Sequence, residues 1–229
     1  MSQDINNIIE SISIDCVIFG FDGNDLQLLL IKRNLEPSKG MWALPGGFIL
    51  SDENLKDAAQ RILEEMTAAN NIYMEQVFTF GDVDRYPLRR VITVTYYALV
   101  KPGNYQLNPG PDASEVAWFS VNEMPELPFD HHKIYSYALD KLRQKIHHEP
   151  IGFNLLPKKF SLTELQVMYE AILGQSLDKR NFRKKLLKMK ILVNLKEKQK
   201  GVAHRAAELY KFDPEMYEAM KLKGFSFDI

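Results

Sequence analysis

One cysteine, Cys16, in 229 residues leaves no second thiol for an intrachain disulfide. It lies in the apolar run CVIFGF and reads as a buried core residue. No stretch approaches the roughly 18 uninterrupted apolar residues that a membrane-spanning helix needs. The start, MSQDINNIIES, has neither a basic region nor a long apolar core, so it does not read as a signal peptide. A cytoplasmic protein without membrane contact is expected. Net charge is nearly absent as well, at −1. That balance hides a division. Residues 1–150 hold 13 Lys and Arg against 21 Asp and Glu, a balance of −8, and residues 151–229 hold 16 against 9, a balance of +7. Such asymmetry points to one part that meets a polyanion and one that does not. An apolar content of 45% with mixed charge excludes a disordered chain, and the length suits two domains.

The stretch that organises the first part is Gly46 to Ala69, GGFILSDENLKDAAQRILEEMTAA. A Gly-Gly turn leads through Phe48-Ile49-Leu50 to Ser51-Asp52, either of which suits a helix cap. Leu55, Ala58, Ala59, Ile62, Leu63 and Met66 then recur at three- and four-residue spacing, which predicts one amphipathic helix. On that helix Arg61 and Glu65 stand four apart and suit a surface ion pair worth a few tenths of a kcal/mol at most. Before the helix, Ile12–Phe21 and Leu26–Lys32 read as two strands around the turn Asp22-Gly23-Asn24. After it, Phe78 to Val100 reads as strand, charged turn and strand, and Glu115–Phe119 as a short strand. Asp82, Asp84, Arg85, Arg89 and Arg90 crowd that turn, as pocket residues or as a solvated hairpin tip. Asp130-His131-His132 opens an amphipathic helix to about Ile146. Adjacent histidines on a helix face different ways, so a cap by Asp130 is favoured over a metal site.

Pro150 to Pro157 reads as a linker. Beyond it, Ser161-x-x-Glu164 is a capping box, and Leu162, Leu165, Val167, Met168, Ile172 and Leu173 supply the buried side of a helix ended by Gly174. A short turn leads to a second helix, about Asp178 to Met189, with Leu177, Phe182, Leu186 and Leu187 inward. Two helices joined this way form a helix-turn-helix, whose second helix enters the DNA major groove. Ile191–Leu195 and Glu208–Phe212 read as strands flanking a basic wing. From 175 to 205 there are 11 Lys and Arg against two acids, Asp178 and Glu197. A charge run on a helix is usually a solvated face, but here same-sign charge, capped helix, short turn and wing follow in one order. Lys179, Arg180, Asn181, Arg183 and Lys184 are candidates for DNA contact, since Arg and Asn pair with guanine and adenine edges. Asn181 has capping, or an inward-turned side chain, as its alternative. Lys198, Lys200, His204 and Arg205 suit phosphate, which positions without specifying.

The order of loop, Glu53, helix, Arg61 and Glu65, preceded by Trp42-x-Leu44-Pro45-Gly46-Gly47, resembles the Nudix box. Gly47, Glu53, Arg61, Leu63 and Glu65 match it. Where that family has two further helix glutamates stand Ile62 and Met66, and Ala68 stands in place of a glycine. In the family such carboxylates hold Mg²⁺ against a diphosphate; the resemblance therefore implies a Nudix fold with no catalytic residue, metal or cofactor. With LPKKFSLTELQVMYEAILGQSLDKRNFRKKLL following it, nearly the whole chain is similar to the Nudix-related transcriptional regulators, the NrtR and AraR-like branches. The fold this implies is α+β, a Nudix-like α/β/α sandwich over 1–150 and a winged helix-turn-helix over 151–229. The function implied is a dimeric repressor that binds double-stranded DNA at a palindromic operator. Its first domain would sense a small molecule near Lys32, Gly46, Gly47, Phe48, Asp82 and Arg89. A sugar such as L-arabinose is the expected effector and ADP-ribose the other. The rival readings are an active Nudix hydrolase of a nucleoside diphosphate compound or RNA, and a partner-binding adaptor without DNA affinity.

Overall fold

The computed structural model describes residues 11–67, 72–103, 105–201 and 206–229. The chain divides into two compact units, residues 1–20 with 27–139 and residues 21–26 with 140–229.

β1 (Ile12–Phe21) and β2 (Leu26–Arg33) flank a turn in which the Asp22 carboxylate accepts the N–H groups of Asn24 and Asp25, at 2.8 and 2.9 Å. Asx geometry of this kind replaces a backbone turn. β3 (Trp42–Ala43), β4 (Gly46–Phe48), β5 (Tyr73–Phe80), β6 (Ile92–Leu99) and β7 (Ala113–Ser120) complete a seven-stranded sheet with the path β3-β2-β1-β6-β5. β4 adds antiparallel to β1, and β7 to β2. β1 and β6 run parallel, Ile12 opposite Ile92 through Phe19 opposite Leu99. Parallel neighbours need a crossover, so both strands lie in the middle of the sheet and are buried on both sides.

Alternation along β1 assigns its two faces. Ile14, Cys16 and Ile18 join Ala58, Ala59, Ile62, Leu63 and Met66 of α1 (Leu55–Thr67) in one core cluster. Phe19, pointing the other way, meets the ring of Tyr135 on α2 (His131–His148) at 6.3 Å. One helix on each face of the sheet is the α/β/α arrangement expected.

The division between the two compact units falls within α2, between Leu139 and Asp140. The segment read as a linker is a 3-10 turn (Pro150–Leu155) with Ile151 and Leu155 buried. Gly152 sits where an added Cβ would lie 2.8 Å from Met168 and 3.0 Å from Ile146, so the end of α2 packs with the domain that follows. Arg143 donates to the Ile172 carbonyl at 2.9 Å for the same result.

That second unit holds β8 (Phe160–Ser161), α3 (Leu162–Leu173), α4 (Lys179–Met189), β9 (Leu192–Lys198), β10 (Glu208–Phe212) and α5 (Pro214–Lys221). Its three strands run in the order β8-β10-β9. The capping box is formed. Ser161 Oγ accepts from Glu164 N at 3.2 Å, and Glu164 Oε2 accepts from Ser161 N at 2.6 Å. Gly174 ends α3 at φ +67, where a side chain would be strained. Tyr169 and Phe182 pack edge to face at 5.4 Å and join the two helices. Leu187, expected inward, is 48% exposed, because Phe182, Leu186 and Met189 already occupy the buried side of α4. Val167 and Leu173 are likewise only half-buried, with Tyr169 and Gln166 in the interior of α3.

Candidate functional site

A cavity of about 350 Å³ opens where β1, β2 and β4 meet the connection from 81 to 91 and the start of α2. That size lies within the roughly 300–1,000 Å³ of small-molecule sites. Its floor is a buried charge cluster. Asp15 projects from the middle of β1, and Gly46 pairs directly opposite it. Arg85, only 5% exposed in its side chain, donates to Asp15 Oδ2 at 3.1 Å and to both Asp130 oxygens, at 2.9 and 2.8 Å. Burial of a guanidinium is tolerable only with such partners.

His131 completes the floor. Its Nδ1 lies 3.1 Å from Leu44 N, so it accepts that amide, which leaves Nε2 as the protonated nitrogen, 3.9 Å from Asp15 Oδ1. Burial pushes the imidazole pKa below its ordinary value, against the opposing pull of Asp15 and Asp130. Asp130 precedes α2 and its carbonyl accepts Ile134 N at 3.0 Å, but its carboxylate is committed to Arg85 rather than to capping.

The walls are apolar and aromatic, with two guanidiniums laid on rings. Arg33 lies 5.3 Å from the Phe129 centroid and donates Nε to Pro37 O at 3.1 Å. Arg89 lies 4.5 Å from the Phe48 centroid. Stacking of this sort holds a cation in place while leaving its N–H edge available. Glu36 and Asp112, both exposed, also line the cavity.

Of the six residues expected around an effector, Gly46, Gly47, Phe48 and Arg89 line this cavity. Lys32 and Asp82 do not. Lys32 pairs with Glu115 of β7 at 2.8 Å, and Asp82 pairs with Lys133 at 2.7 Å. Each finds its counter-charge along the sheet edge or the first turn of α2 instead. The charged turn is not simply a solvated tip, since Arg85 turns inward from it. Sequence reasoning passed over Asp15, Arg33, Phe129 and His131 as cavity residues. Asp15 carried a signal: a lone carboxylate inside the apolar run ISIDCVIFGF demands a buried partner.

Beside the cavity, Arg61 draws the box residues together. It donates Nε to Glu53 Oε2 at 2.9 Å, Nη2 to Glu53 Oε1 at 2.7 Å, Nη1 to Glu65 at 3.3 Å and Nη2 to the Phe48 carbonyl at 3.2 Å. The bidentate hydrogen bonds from Arg61 hold Glu53 down at about 2. The ion pair expected between Arg61 and Glu65 is present, with Glu53 as the stronger partner. Ile62 and Met66 are buried in the core cluster. Among the described residues, no three His, Cys, Asp or Glu groups converge so as to hold a metal ion.

In the second unit, α4 presents Lys179, Arg180, Asn181 and Lys184 to solvent. Asp178 caps the helix by accepting Asn181 N at 2.8 Å, so the cap falls to Asp178 and the Asn181 side chain stays exposed. Arg183 is half-buried and donates to Thr163 Oγ1 at 2.9 Å, which ties α4 to the start of α3. A groove lined by Thr163, Lys179, Arg183, Lys198, Gln199 and Tyr210 runs between those helices and the β9–β10 strands. Lys198 and Lys200 are exposed, while His204 and Arg205 lie outside the described residues. Nearby, Lys159 clasps both oxygens of Glu197, at 2.9 and 2.6 Å, so one of the two acids in this basic stretch is neutralised.

Comparison with known proteins gives a consistent result. Residues 10–142 match the NUDIX domain, and residues 152–212 match the NrtR DNA-binding winged helix domain. A protein of Acinetobacter baylyi named ADPR responsive transcriptional repressor NtrR is 36% identical over 210 residues, 90% of this chain and 83% of its own. NrtR of Shewanella oneidensis, solved with a 27mer DNA, is 31% identical with a TM-score of 0.78, over 94% of this chain and 97% of that one. The NUDIX domain of the same Shewanella protein, solved with ADP ribose, is 33% identical with a TM-score of 0.53, over 62% of this chain and 94% of that one. Among the described residues, no helix is long and apolar enough to cross a membrane.

Proposed function

Because this chain belongs to the NrtR family, in which a NUDIX domain is joined to a DNA-binding winged helix, we propose that it is a transcriptional repressor responsive to ADP-ribose. The observation that carries this reading is the exposed cationic face of α4 in a chain that aligns over 94% of its length with the Shewanella NrtR solved with a 27mer DNA. Lys179, Arg180 and Asn181 meet the major groove, and Lys184, Lys198 and Lys200 meet phosphate. Two chains pair, so that two winged helices address half-sites about one helical turn apart in a palindrome.

ADP-ribose replaces L-arabinose as the effector of choice. The Acinetobacter and Shewanella relatives are named for, or solved with, ADP-ribose. The cavity suits it chemically, since Arg33 and Arg89 offer cations to a diphosphate and Glu36 and Asp112 offer acceptors to ribose hydroxyls. With Ile62 and Met66 in the positions of two box glutamates, the domain binds its ligand without hydrolysing it. Binding in the cavity disfavours the DNA-bound form, and a coupling of about 1.4 kcal/mol lowers occupancy tenfold.

The test begins with selection of duplexes from a random pool at fixed salt, because affinity has meaning only at stated ionic strength. A palindrome is expected, released by ADP-ribose and not by L-arabinose in a fluorescence anisotropy titration. Sequence-blind binding, or operator affinity unmoved by saturating ADP-ribose, sinks the reading.

A further inference from the structure

The NUDIX fold implies a divalent metal beside the ligand diphosphate, and the residues of this chain do not fit one. A Mg²⁺ site needs at least one or two free carboxylates and room for octahedral geometry. Here Ile62 and Met66 lie inside the hydrophobic core cluster and bring only carbon and sulfur. Glu53 spends both oxygens on Arg61, and Glu65 is held by the same guanidinium. Asp15 and Asp130, the carboxylates of the cavity floor, are both bound to Arg85. The positive charge in the cavity is therefore organic. Arg85 is consumed by Asp15 and Asp130, whereas Arg33 and Arg89 have no ion-pair partner among the described residues and rest on the rings of Phe129 and Phe48.

We infer that this cavity binds its diphosphate ligand without a divalent metal, with Arg33 and Arg89 supplying the counter-charge. Guanidinium N–H edges match phosphate oxygens bidentately, and each guanidinium already rests against a ring, so less side-chain freedom is lost on binding. The exposed carboxylates Glu36 and Asp112 also line the cavity, but among the described residues no three His, Cys, Asp or Glu groups converge so as to hold a metal ion. This inference rests on the ADP-ribose reading, and its test separates the two.

Full-length protein is titrated with ADP-ribose by calorimetry in buffer with EDTA and in buffer with Mg²⁺. Equal affinity within about threefold is expected, because no metal contact is gained. Arg89→Ala and Arg33→Ala are each expected to weaken binding by roughly tenfold or more in both buffers, the loss of a charge-assisted contact. Melting temperatures of both variants serve as the control for folding, and neither side chain is fully buried. Binding confined to the Mg²⁺ buffer overturns this inference and leaves the ADP-ribose reading standing. Metal-free binding that neither substitution weakens overturns the arginine assignment. Absence of binding in both buffers overturns the ADP-ribose reading itself, and the inference with it.

Discussion

Arg85 and Asp130, 45 residues apart, form a two-bond fork with Nε to Oδ2 at 2.9 Å and Nη2 to Oδ1 at 2.8 Å. The fork fastens the connection before β6 to the start of α2, and the second contact of Nη2, with Asp15, carries it to β1. A single guanidinium thus anchors three separate segments of the cavity floor.

Removing that guanidinium leaves the buried Asp15 and the half-buried Asp130 without their partner. Arg85→Ala is expected to cost about 3–5 kcal/mol of unfolding free energy, the usual result of breaking a buried pair from one side. Arg85→Lys, which keeps charge but not the fork, recovers only part of it. Urea denaturation of the three proteins checks this, and a loss below about 1 kcal/mol for Arg85→Ala contradicts it.

The two glycines at the cavity are not equivalent. A Cβ at Gly46 would lie 2.6 Å from Asp15 Oδ1 and 2.7 Å from the Ile14 carbonyl, whereas one at Gly47 would meet nothing nearer than Ile62 Cδ1 at 3.7 Å. Backbone cannot yield as a side-chain tip can, so Gly46→Ala forces β4 away from β1 and costs about 1–3 kcal/mol. Gly47→Ala leaves stability nearly unchanged. Thermal melts that rank the two equally contradict the geometry.

His131 makes a pH prediction of fixed sign. Burial lowers its folded pKa below the ordinary 6.5, so under mild acid the unfolded state binds the proton first. Stability is complete above pH 6.5 and falls as the pH drops through that value toward the lowered folded pKa. Asp15, Asp130, Arg85 and Arg33 are the charged groups acting on the ring, and the two carboxylates only moderate the shift. His131→Asn keeps an acceptor for Leu44 N–H and does not titrate, so its stability between pH 7 and 5.5 is expected to slope less. Identical slopes in denaturant titrations count against the assignment.

On the DNA side, Lys184 and Arg180 are expected to behave differently. Lys184→Ala weakens operator and random duplex alike and reduces the slope of log K against log salt by about one. Arg180→Ala relaxes preference at one base pair, at a cost of roughly 1–3 kcal/mol on the preferred site. Binding curves on both duplexes across a salt series distinguish the two. Equal loss of specificity from both variants fails the prediction.

The winged helix was legible because its signals are local. The capping box, the glycine stop and the stripe of Phe182 and Leu186 all lie within a few residues of what they control, and each forms as read. Short elements escaped for the same reason. β3 and β4 have two and three residues and exist only because β2 and β1 offer them a partner, and α5 follows Asp213-Pro214 in a stretch with a weak apolar stripe. Leu187 faces solvent because an apolar residue between two possible faces goes inward only if the neighbouring element leaves room.

The sequence by itself determined the two-part organisation, the order of the longer strands and helices, the opposed charge of the halves and the residues of the Nudix-like box. These are properties of composition, spacing and short-range hydrogen bonding, written in contiguous residues. Only the tertiary structure decided which charges share a site. Asp15 and Arg85 meet across 70 positions because the register of β1 against β4 and β6 sets the depth at which each side chain lies. The register of β2 against β7 likewise sets Lys32 opposite Glu115 and away from the cavity. Burial then selects among the candidates. An unpaired charge is too costly in the interior, so Arg85 enters with two carboxylates while Lys32 and Asp82 remain outside with theirs.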